Sequence, residues 1–196
     1  YFNLLGIAYA LQYSHSKNII HGNLKPGNIL LDSDFNPIVT DFCLISNFAS
    51  SDLYDEENDD FCKFEDDTPL YISPELIESL NEQIPEFTSD TYSYSLIAYE
   101  LITGQKPFNF ENSGFSTYYQ YALHIKQEKL RPDLTIIKDS KIRSFLSDCW
   151  DENPLNRPSF QRIVDELNNE VFSTYLNLNP NSEEIREFKI KLIGRR

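Results

Sequence analysis

The fold can be predicted outward from one segment, His21-Gly22-Asn23-Leu24-Lys25-Pro26-Gly27-Asn28. Because it mixes glycine, asparagine and proline, it predicts a loop rather than a helix or a strand. Directly after it, two short apolar runs at residues 29–32 and 37–40 flank residues 33–36, which is the pattern of a β-hairpin. Before it, apolar residues recur at helical spacing and predict a helix from about Phe2 to Ser16. The loop therefore connects a helix with one buried face to a small hairpin.

Most of the chain beyond residue 73 predicts helices. A short helix is predicted over about residues 74–80, where a proline suits the first turn. A longer helix, capped by Thr88, Ser89 or Asp90, carries apolar residues at helical spacing and stops at Gly104. Further helices are predicted at about residues 117–127, 138–150 and 159–167 and from Ser182 onward. The predicted fold class is therefore mainly α.

Composition limits the kinds of protein and partner. With 196 residues, of which 40% are hydrophobic and 24% charged, the chain has the size and composition of one globular domain. The formal net charge of -14 argues against nucleic acids and anionic membranes as partners, because phosphates would be repelled. No apolar run approaches the roughly 20 residues of a membrane-spanning helix, so membrane insertion is not expected. The three cysteines lack metal-ligand spacing, and free thiols indicate a reducing, cytoplasmic location.

Five motifs occur in order along the chain. The loop 21–28 is the first. The others are Asp41-Phe42-Cys43, the segment TPLYISPE at residues 68–75, SDTYSY at residues 89–94, and CWDENPLNRPS at residues 149–159. They resemble, in this order, the catalytic loop, the D-F-G motif, the A-P-E segment, the start of the large buried helix and the C-terminal signature of eukaryotic protein kinases. Five matches in family order are far more specific than any single motif.

The resemblance implies the C-terminal lobe (C-lobe) of a protein kinase, a mainly α helical bundle with a small β-hairpin at the catalytic loop. It implies a partial kinase domain at residues 1–172, an acidic activation segment at 44–72 within it, and a C-terminal extension at 173–196. The Lys25-Pro26-x-Asn28 form of the loop is similar to that of Ser/Thr kinases, whereas the 149–159 signature is typical of tyrosine-kinase-like and tyrosine kinases. We therefore expect the tyrosine-kinase-like branch of the Ser/Thr kinases.

The family's catalytic positions, carried over by the resemblance, fall on the loop and the hairpin. Asn23 stands where the family has the aspartate that accepts the proton of the substrate hydroxyl, and a carboxamide cannot take that proton. Lys25 keeps the charge that steadies the γ-phosphate of ATP. Asn28 and Asp41 keep the two Mg²⁺ ligand positions, and Leu30 would pack under adenine. ATP and Mg²⁺ are the cofactors that the resemblance implies.

The positions that hold the lobe together are also kept. The resemblance implies that Glu75 pairs with Arg157 and so anchors the activation segment to the lobe. Asp90 would hold the backbone of the catalytic loop from below. His21 and Phe42 would stack as the lower half of a hydrophobic spine. The scaffold of the family is therefore retained.

By comparison, several residues that serve catalysis in the family are replaced. Gly22 replaces the loop arginine that meets a phosphorylated activation segment, and Cys43 replaces the D-F-G glycine. No G-x-G-x-x-G occurs in the chain, so the ATP-gripping N-terminal lobe (N-lobe) is expected either before Tyr1 in a longer protein or not at all. The favoured prediction is a pseudokinase that acts by binding or allostery in signalling. The alternatives are a Ser/Thr kinase that transfers the ATP γ-phosphate when its N-lobe is present, and a gene fragment without function.

Residues 44–72 carry nine acidic residues against Lys63 as their single basic residue. Such a segment is either a solvated loop extended by its own repulsion, which we favour, or a docking surface for a basic protein partner at residues 52–67. Tyr54, placed among these acids, is a candidate for modification. Protein partners are expected in either case. Two histidines outside the motifs, His15 and His124, are expected to have no partners.

Overall fold

The computed structural model describes residues 1–42, 66–77, 86–176, 178–179 and 182–194. Within these ranges lie seven α-helices and one antiparallel two-stranded sheet. The helices are α1 (Phe2–Ser16), α2 (Phe87–Thr103), α3 (Tyr118–Gln127), α4 (Ser140–Cys149), α5 (Phe160–Leu167), α6 (Glu170–Tyr175) and α7 (Glu183–Gly194). The strands are β1 (Ile29–Leu31) and β2 (Pro37–Val39). Short 3₁₀ turns lie at Pro26–Asn28, Thr68–Tyr71, Leu134–Ile136 and Pro154–Asn156. The mainly α fold class with a small hairpin is thereby confirmed.

Helix α2 lies at the centre of the fold. Residues 89–99 are all buried, as expected of a helix that other elements surround. Two of its buried hydroxyl groups bond to those elements: Ser93 donates to the Tyr71 carbonyl at 2.8 Å, and Tyr94 donates to the Leu4 carbonyl at 3.0 Å. Because a buried hydroxyl costs free energy unless it is hydrogen-bonded, these contacts fix α1 and the 3₁₀ turn that contains Tyr71 against α2.

Helix α1 packs against both α5 and β2. Gly6 allows the close approach of the hairpin, because a Cβ at this position would lie 2.5 Å from Cγ of Pro37. Helix α7 also covers α1, and the Phe188 ring meets the Phe2 ring edge-on with centroids 4.8 Å apart. Ile185, on the same helix, is buried. The segment that contains α7 is therefore packed onto the body of the fold.

Gly6→Ala is expected to lower the free energy of unfolding by up to about 2 kcal/mol. The added methyl group must push Pro37 away from α1, and such overpacking costs about 1–3 kcal/mol. The preference of a helix for alanine over glycine opposes this by only about 1 kcal/mol. Chemical denaturation measures the difference. Gly27→Ala is the matched control, because its added Cβ would meet only Cε of Lys25, at 3.8 Å. A Gly6→Ala protein as stable as the original would contradict this packing.

Element boundaries agree with the sequence pattern at several helix ends, most of which have a capping residue. Helix α1 has the predicted bounds, and α3 follows Thr117, whose side chain accepts a hydrogen bond from the Gln120 amide. Helix α5 likewise follows Ser159, whose side chain accepts from the Arg162 amide. Gly104 ends α2 in the left-handed conformation that glycine adopts most easily. These local signals are sufficient because each cap satisfies orphan backbone groups within its own turn.

The predicted helix at residues 74–80 is wrong in its first half. Residues 74–77 form a single turn, closed by the Leu76 amide donating to the Ser73 carbonyl at 2.9 Å. A proline compatible with a first helical turn does not require the helix to continue. The remainder of that prediction, residues 78–80, lies outside the described residues.

The predicted N-cap of α2 is also wrong. The helix begins at Phe87 with Glu86 as its N-cap, and not at Thr88, Ser89 or Asp90. The Glu86 side chain accepts from the backbone of Ser89, while the Ser89 hydroxyl accepts from the Glu86 amide at 3.2 Å. This reciprocal pair is a capping box with its residue types reversed, so the serine lies inside the helix. Helix α6 was not predicted at all.

The outer face of the hairpin is apolar. Leu30 of β1 pairs with Ile38 of β2, and both side chains are exposed. Phe35, in the turn between the strands, is exposed as well. Three large apolar side chains of the hairpin are therefore exposed in the described part of the chain. Among the helices described here, none combines the length and apolarity that crossing a membrane requires.

Candidate active site

One buried carboxylate of α2 holds the loop 21–28. Asp90 is 1% exposed, and its two oxygens accept from the amides of His21 at 2.7 Å and Gly22 at 2.8 Å. Gly22 has a φ of +72°, a left-handed conformation that costs glycine little. Nε2 of His15 lies 2.8 Å from the same carboxylate. The loop backbone is therefore fixed to the central helix at its first two residues.

The ring of His21 is held in one tautomer. Its Nδ1 accepts from the Asn23 amide at 3.2 Å, so Nε2 carries the proton and donates it to the Thr40 carbonyl at 2.9 Å. Burial lowers the pKa of His21, although nearby carboxylates oppose that shift, so the ring is neutral at neutral pH. The Phe42 ring lies beside it, with centroids 4.5 Å apart. The structure thus brings together the two rings that the resemblance paired.

Asn28 and Asp41 lie at the same end of the hairpin. The Thr40 amide donates to the Asn28 carbonyl at 2.9 Å, which places the next residue, Asp41, beside the end of the loop. Nδ2 of Asn28 donates to the Asn23 carbonyl at 2.7 Å and leaves Oδ1 as the acceptor of this side chain. Asp41 is exposed and has a φ of +57°, which aspartate tolerates better than most residues. One amide oxygen and one carboxylate are therefore available here.

Lys25 ties the loop to the end of the activation segment. Its Nζ donates to Oδ2 of Asp66 and to Oγ1 of Thr68, both at 2.6 Å. The Thr68 amide donates to the other oxygen of Asp66 at 3.0 Å, and the Thr68 hydroxyl donates to that oxygen too. The Lys25 side chain is only 17% exposed, whereas that of Asp66 is 57% exposed. The lysine ammonium is therefore already engaged by groups of its own chain.

A largely buried ion pair anchors the chain at Glu75, a few residues beyond Thr68. The Arg157 guanidinium donates to both oxygens of Glu75, at 2.6 and 2.9 Å, and also to the carbonyls of Asp151 at 2.9 Å and Thr88 at 3.1 Å. The Arg157 side chain is completely buried. Burial by itself raises the pKa of Glu75, but Arg157 outweighs it and lowers that pKa. The carboxylate therefore stays charged and holds the segment against α2.

Comparison with known proteins identifies this arrangement. The family profile described as "Protein kinase domain" matches residues 2–167. The chain belongs to the protein kinase domain family. A probable serine/threonine-protein kinase of Dictyostelium discoideum is 31% identical over 168 residues, which cover 84% of this chain and 11% of that relative. The serine/threonine-protein kinase STY17 of Arabidopsis thaliana is 29% identical over 164 residues, which cover 84% of this chain and 26% of that relative.

A human relative of this kinase domain has similar coverage. Receptor-interacting serine/threonine-protein kinase 1 is 31% identical over 173 residues, which cover 84% of this chain and 25% of that protein. The chain therefore spans between about a tenth and about a quarter of the length of these relatives. The comparison identifies the domain, while the activities of the whole relatives belong to those proteins.

The loop and hairpin of this kinase domain fit Mg²⁺, which the family uses together with ATP. Mg²⁺ prefers oxygen ligands, and Asn28 and Asp41 offer an amide oxygen and a carboxylate. In the part of the chain that the structure describes, no group of three or more His, Cys, Asp or Glu side chains could hold a metal ion. Leu30, predicted to pack under adenine, lies 54% exposed on the hairpin face of the domain.

Three interactions of this kinase domain were missed in the sequence. His15 was expected to have no partner, which is wrong, since it bonds to Asp90. The ring of His124 lies tilted beside that of Phe115, with centroids 4.9 Å apart, and so also has a partner. Asp66 was counted only among the charges of the acidic segment, although it contacts the catalytic loop. The contacts of His15 and Asp66 join residues far apart in sequence, so no local pattern predicts them.

Some predictions concern residues that the structure does not describe. These include most of the acidic segment, from residue 44 to residue 65, together with Cys43, Tyr54 and Cys62. Cys149 is described, and it is a free, buried thiol. Burial raises the pKa of Cys149 well above its ordinary value, so the thiol stays protonated and unreactive.

Proposed function

We propose that this chain is part of a pseudokinase domain, at residues 1–172, that binds other proteins within a larger cytoplasmic signalling protein. The observation that supports this most directly is the neutral side chain of Asn23 at the position of the catalytic base. When a hydroxyl oxygen attacks the γ-phosphate, its proton must pass to an acceptor, and a carboxamide does not serve as one. The Asn23 backbone groups orient His21 and Asn28, so the loop keeps its shape without its base.

The scaffold of the lobe supports a binding role. A pseudokinase needs a rigid lobe whose surface other proteins recognise, and both anchors of that lobe are in place, the Asp90 carboxylate and the Glu75–Arg157 pair. Neither anchor takes part in phosphoryl transfer. The charge of residues 52–67 favours a basic protein surface as the partner. Residues 173–196 are proposed as an extension of the domain rather than part of its catalytic fold.

A Ser/Thr kinase of the tyrosine-kinase-like branch is the second candidate function. The positions of Asn28 and Asp41 favour it, because they retain oxygen ligands suited to Mg²⁺. The relatives named above are serine/threonine kinases by their descriptions, which also favours it. In that case Lys25 would steady the γ-phosphate of ATP, and Leu30 would pack under adenine.

Phosphoryl transfer by the full-length protein distinguishes these functions. With ATP, Mg²⁺ and a general protein substrate, the unmodified protein is expected to incorporate no more phosphate than its Asp41→Ala variant. Asn23→Asp restores a base and is expected to raise any transfer by about 10²–10⁴. Radiolabelled phosphate incorporation measures both results.

Asp41→Ala is the control in this experiment because it removes a metal-ligand position while leaving Asn23 untouched. Transfer by the unmodified protein that Asp41→Ala abolishes would refute the pseudokinase proposal and support the second candidate. Thermal unfolding with and without ATP and Mg²⁺ reports nucleotide binding separately, since a ligand that binds only the folded state raises the melting temperature.

A further inference from the structure

The contacts of Lys25 carry an inference beyond the loss of the base. The ammonium group of a lysine has three donors, and here two of them are used by Asp66 and Thr68, each at 2.6 Å. The lysine side chain is largely buried, so an unpaired charge at this position would be costly. Asp66 supplies the compensating negative charge. It comes from the activation segment, 41 residues further along the chain.

Position 23 explains why this charge is needed. Lys25 lies two residues after Asn23 in a loop that is extended at Lys25, with φ -153° and ψ 164°. A carboxylate at position 23 would lie only two residues from this lysine in the sequence and could balance its charge. Asn23 is neutral and cannot balance the charge. Among the residues that the structure describes, Asp66 is the acid that forms an ion pair with Lys25.

We propose that Asp66 is an internal substitute for a bound phosphate, which occupies Lys25 and holds the activation segment against the catalytic loop. This inference rests on the proposed pseudokinase function and specifies how its site is kept closed. An anion that approaches Lys25 must compete with the Asp66 carboxylate. Lys25 of the loop therefore holds residues 66–68 in place.

The geometry around Asp66 supports a stable contact rather than a chance approach. Both carboxylate oxygens are used, one by Lys25 and the other by the amide and hydroxyl of Thr68. Burial alone would raise the pKa of Asp66, but the hydrogen bonds from Lys25 and Thr68 outweigh it and lower the pKa. Asp66 thus remains charged throughout the neutral range. Its neighbour Asp67 faces a different lysine, Lys106, at 3.4 Å.

The reactivity of Lys25 in the full-length protein tests this proposal. Acetic anhydride labels accessible lysines, and mass spectrometry of peptides gives the labelling rate at each one. Asp66→Asn is expected to raise the rate at Lys25 roughly fivefold, because a charge-assisted hydrogen bond is replaced by a weaker neutral one. Asp67→Asn is the matched control. It removes the same charge one residue away and is expected to leave the rate at Lys25 unchanged. Equal rates at Lys25 in the two variants would overturn the proposal.

Two further measurements use the same labelling. Inorganic tripolyphosphate with Mg²⁺ is expected to slow labelling of Lys25 more in Asp66→Asn than in the unmodified protein, because the variant lacks the carboxylate that competes for the ammonium. Equal protection of Lys25 in the two proteins would overturn the proposal that Asp66 competes with phosphate for this lysine. The double variant Asn23→Asp/Asp66→Asn is expected to restore slow labelling, since a carboxylate at position 23 takes over the lysine. Continued fast labelling of Lys25 in the double variant would contradict the proposal that a carboxylate at position 23 can replace Asp66 as its partner.

The labelling is independent of catalysis. Phosphoryl transfer by the unmodified protein would refute the proposed function and leave the Lys25 rates as they were measured. Conversely, an inactive protein whose Lys25 reacts equally fast in all variants would refute the role of Asp66 alone. Circular dichroism of each variant confirms that the fold is retained, which is expected because the Asp66 side chain is mostly exposed and asparagine has its shape.

Discussion

Asp90→Ala is expected to lower the free energy of unfolding by about 3–6 kcal/mol, a large share of the roughly 5–15 kcal/mol that keeps a domain folded. The carboxylate accepts from the amides of His21 and Gly22 and contacts His15. Without it, both amides lose their acceptor inside the protein, and each buried donor left unsatisfied costs about 1–3 kcal/mol. The loss of the contact with His15 adds to this.

Urea denaturation of Asp90→Ala and of the original protein measures the effect. Asp165→Ala is the matched control, because it removes a carboxylate of α5 that bonds to Gln161 at the surface. That change is expected to cost within about 0.5 kcal/mol. Asp90→Asn should fall between the two, since its amide oxygen can accept from one of the two backbone donors. Equal stability of Asp90→Ala and Asp165→Ala would show that the loop does not depend on this carboxylate.

Hydrogen exchange distinguishes a local effect from a global one. Faster exchange confined to the amides of His21 and Gly22 would mean that Asp90 positions the loop alone. Faster exchange across α2 as well would mean that the carboxylate also stabilises the central helix. We expect the second result, because Asp90 lies in the first turn of α2 and is buried with the rest of it.

Local signals explain how much of the fold could be predicted from the sequence. A cap such as Thr117 or a stop such as Gly104 acts within one helical turn, so its residue type alone fixes a boundary. Pro74 is compatible with both a helix and a single turn, and tertiary packing selects the turn. The α2 capping box was missed because its acid and its hydroxyl occupy each other's usual positions.

The candidate site depended on a different kind of information. Its pairs join residues far apart in the chain, such as Glu75 with Arg157, and no periodicity or composition brings such residues together. Only the resemblance to a family supplied that pairing in advance. The resemblance did not predict the contact between Asp66 and Lys25. The contact between Lys25 and Asp66 is evident only from the structure, which gives the positions of both side chains.

Arg157→Ala is expected to lower the free energy of unfolding by about 3–5 kcal/mol, because it leaves the Glu75 carboxylate partly buried without its partner. The guanidinium also donates to two backbone carbonyls, and it lies over the ring of Tyr92, 5.2 Å from its centroid. Arg162→Ala is the matched control. Arg162 is exposed and pairs with Glu166 at 3.0 Å, and surface pairs of this kind contribute at most about 1 kcal/mol.

Measurements at acidic pH distinguish the contribution of charge to the stability of the Glu75–Arg157 pair from the contribution of packing. The folded-state pKa of Glu75 lies below its ordinary value of about 4.3, because Arg157 outweighs the opposing effect of burial. A lowered pKa means that the charge contributes fully to stability above that ordinary value, and that the contribution is lost as the pH falls through the folded pKa. Glu75→Gln is therefore expected to be less stable than the original protein at neutral pH and to approach it in acid. Denaturation curves over this pH range check the trend. A difference that did not shrink in acid would mean that Glu75 stabilises the segment through its shape and hydrogen bonds rather than its charge.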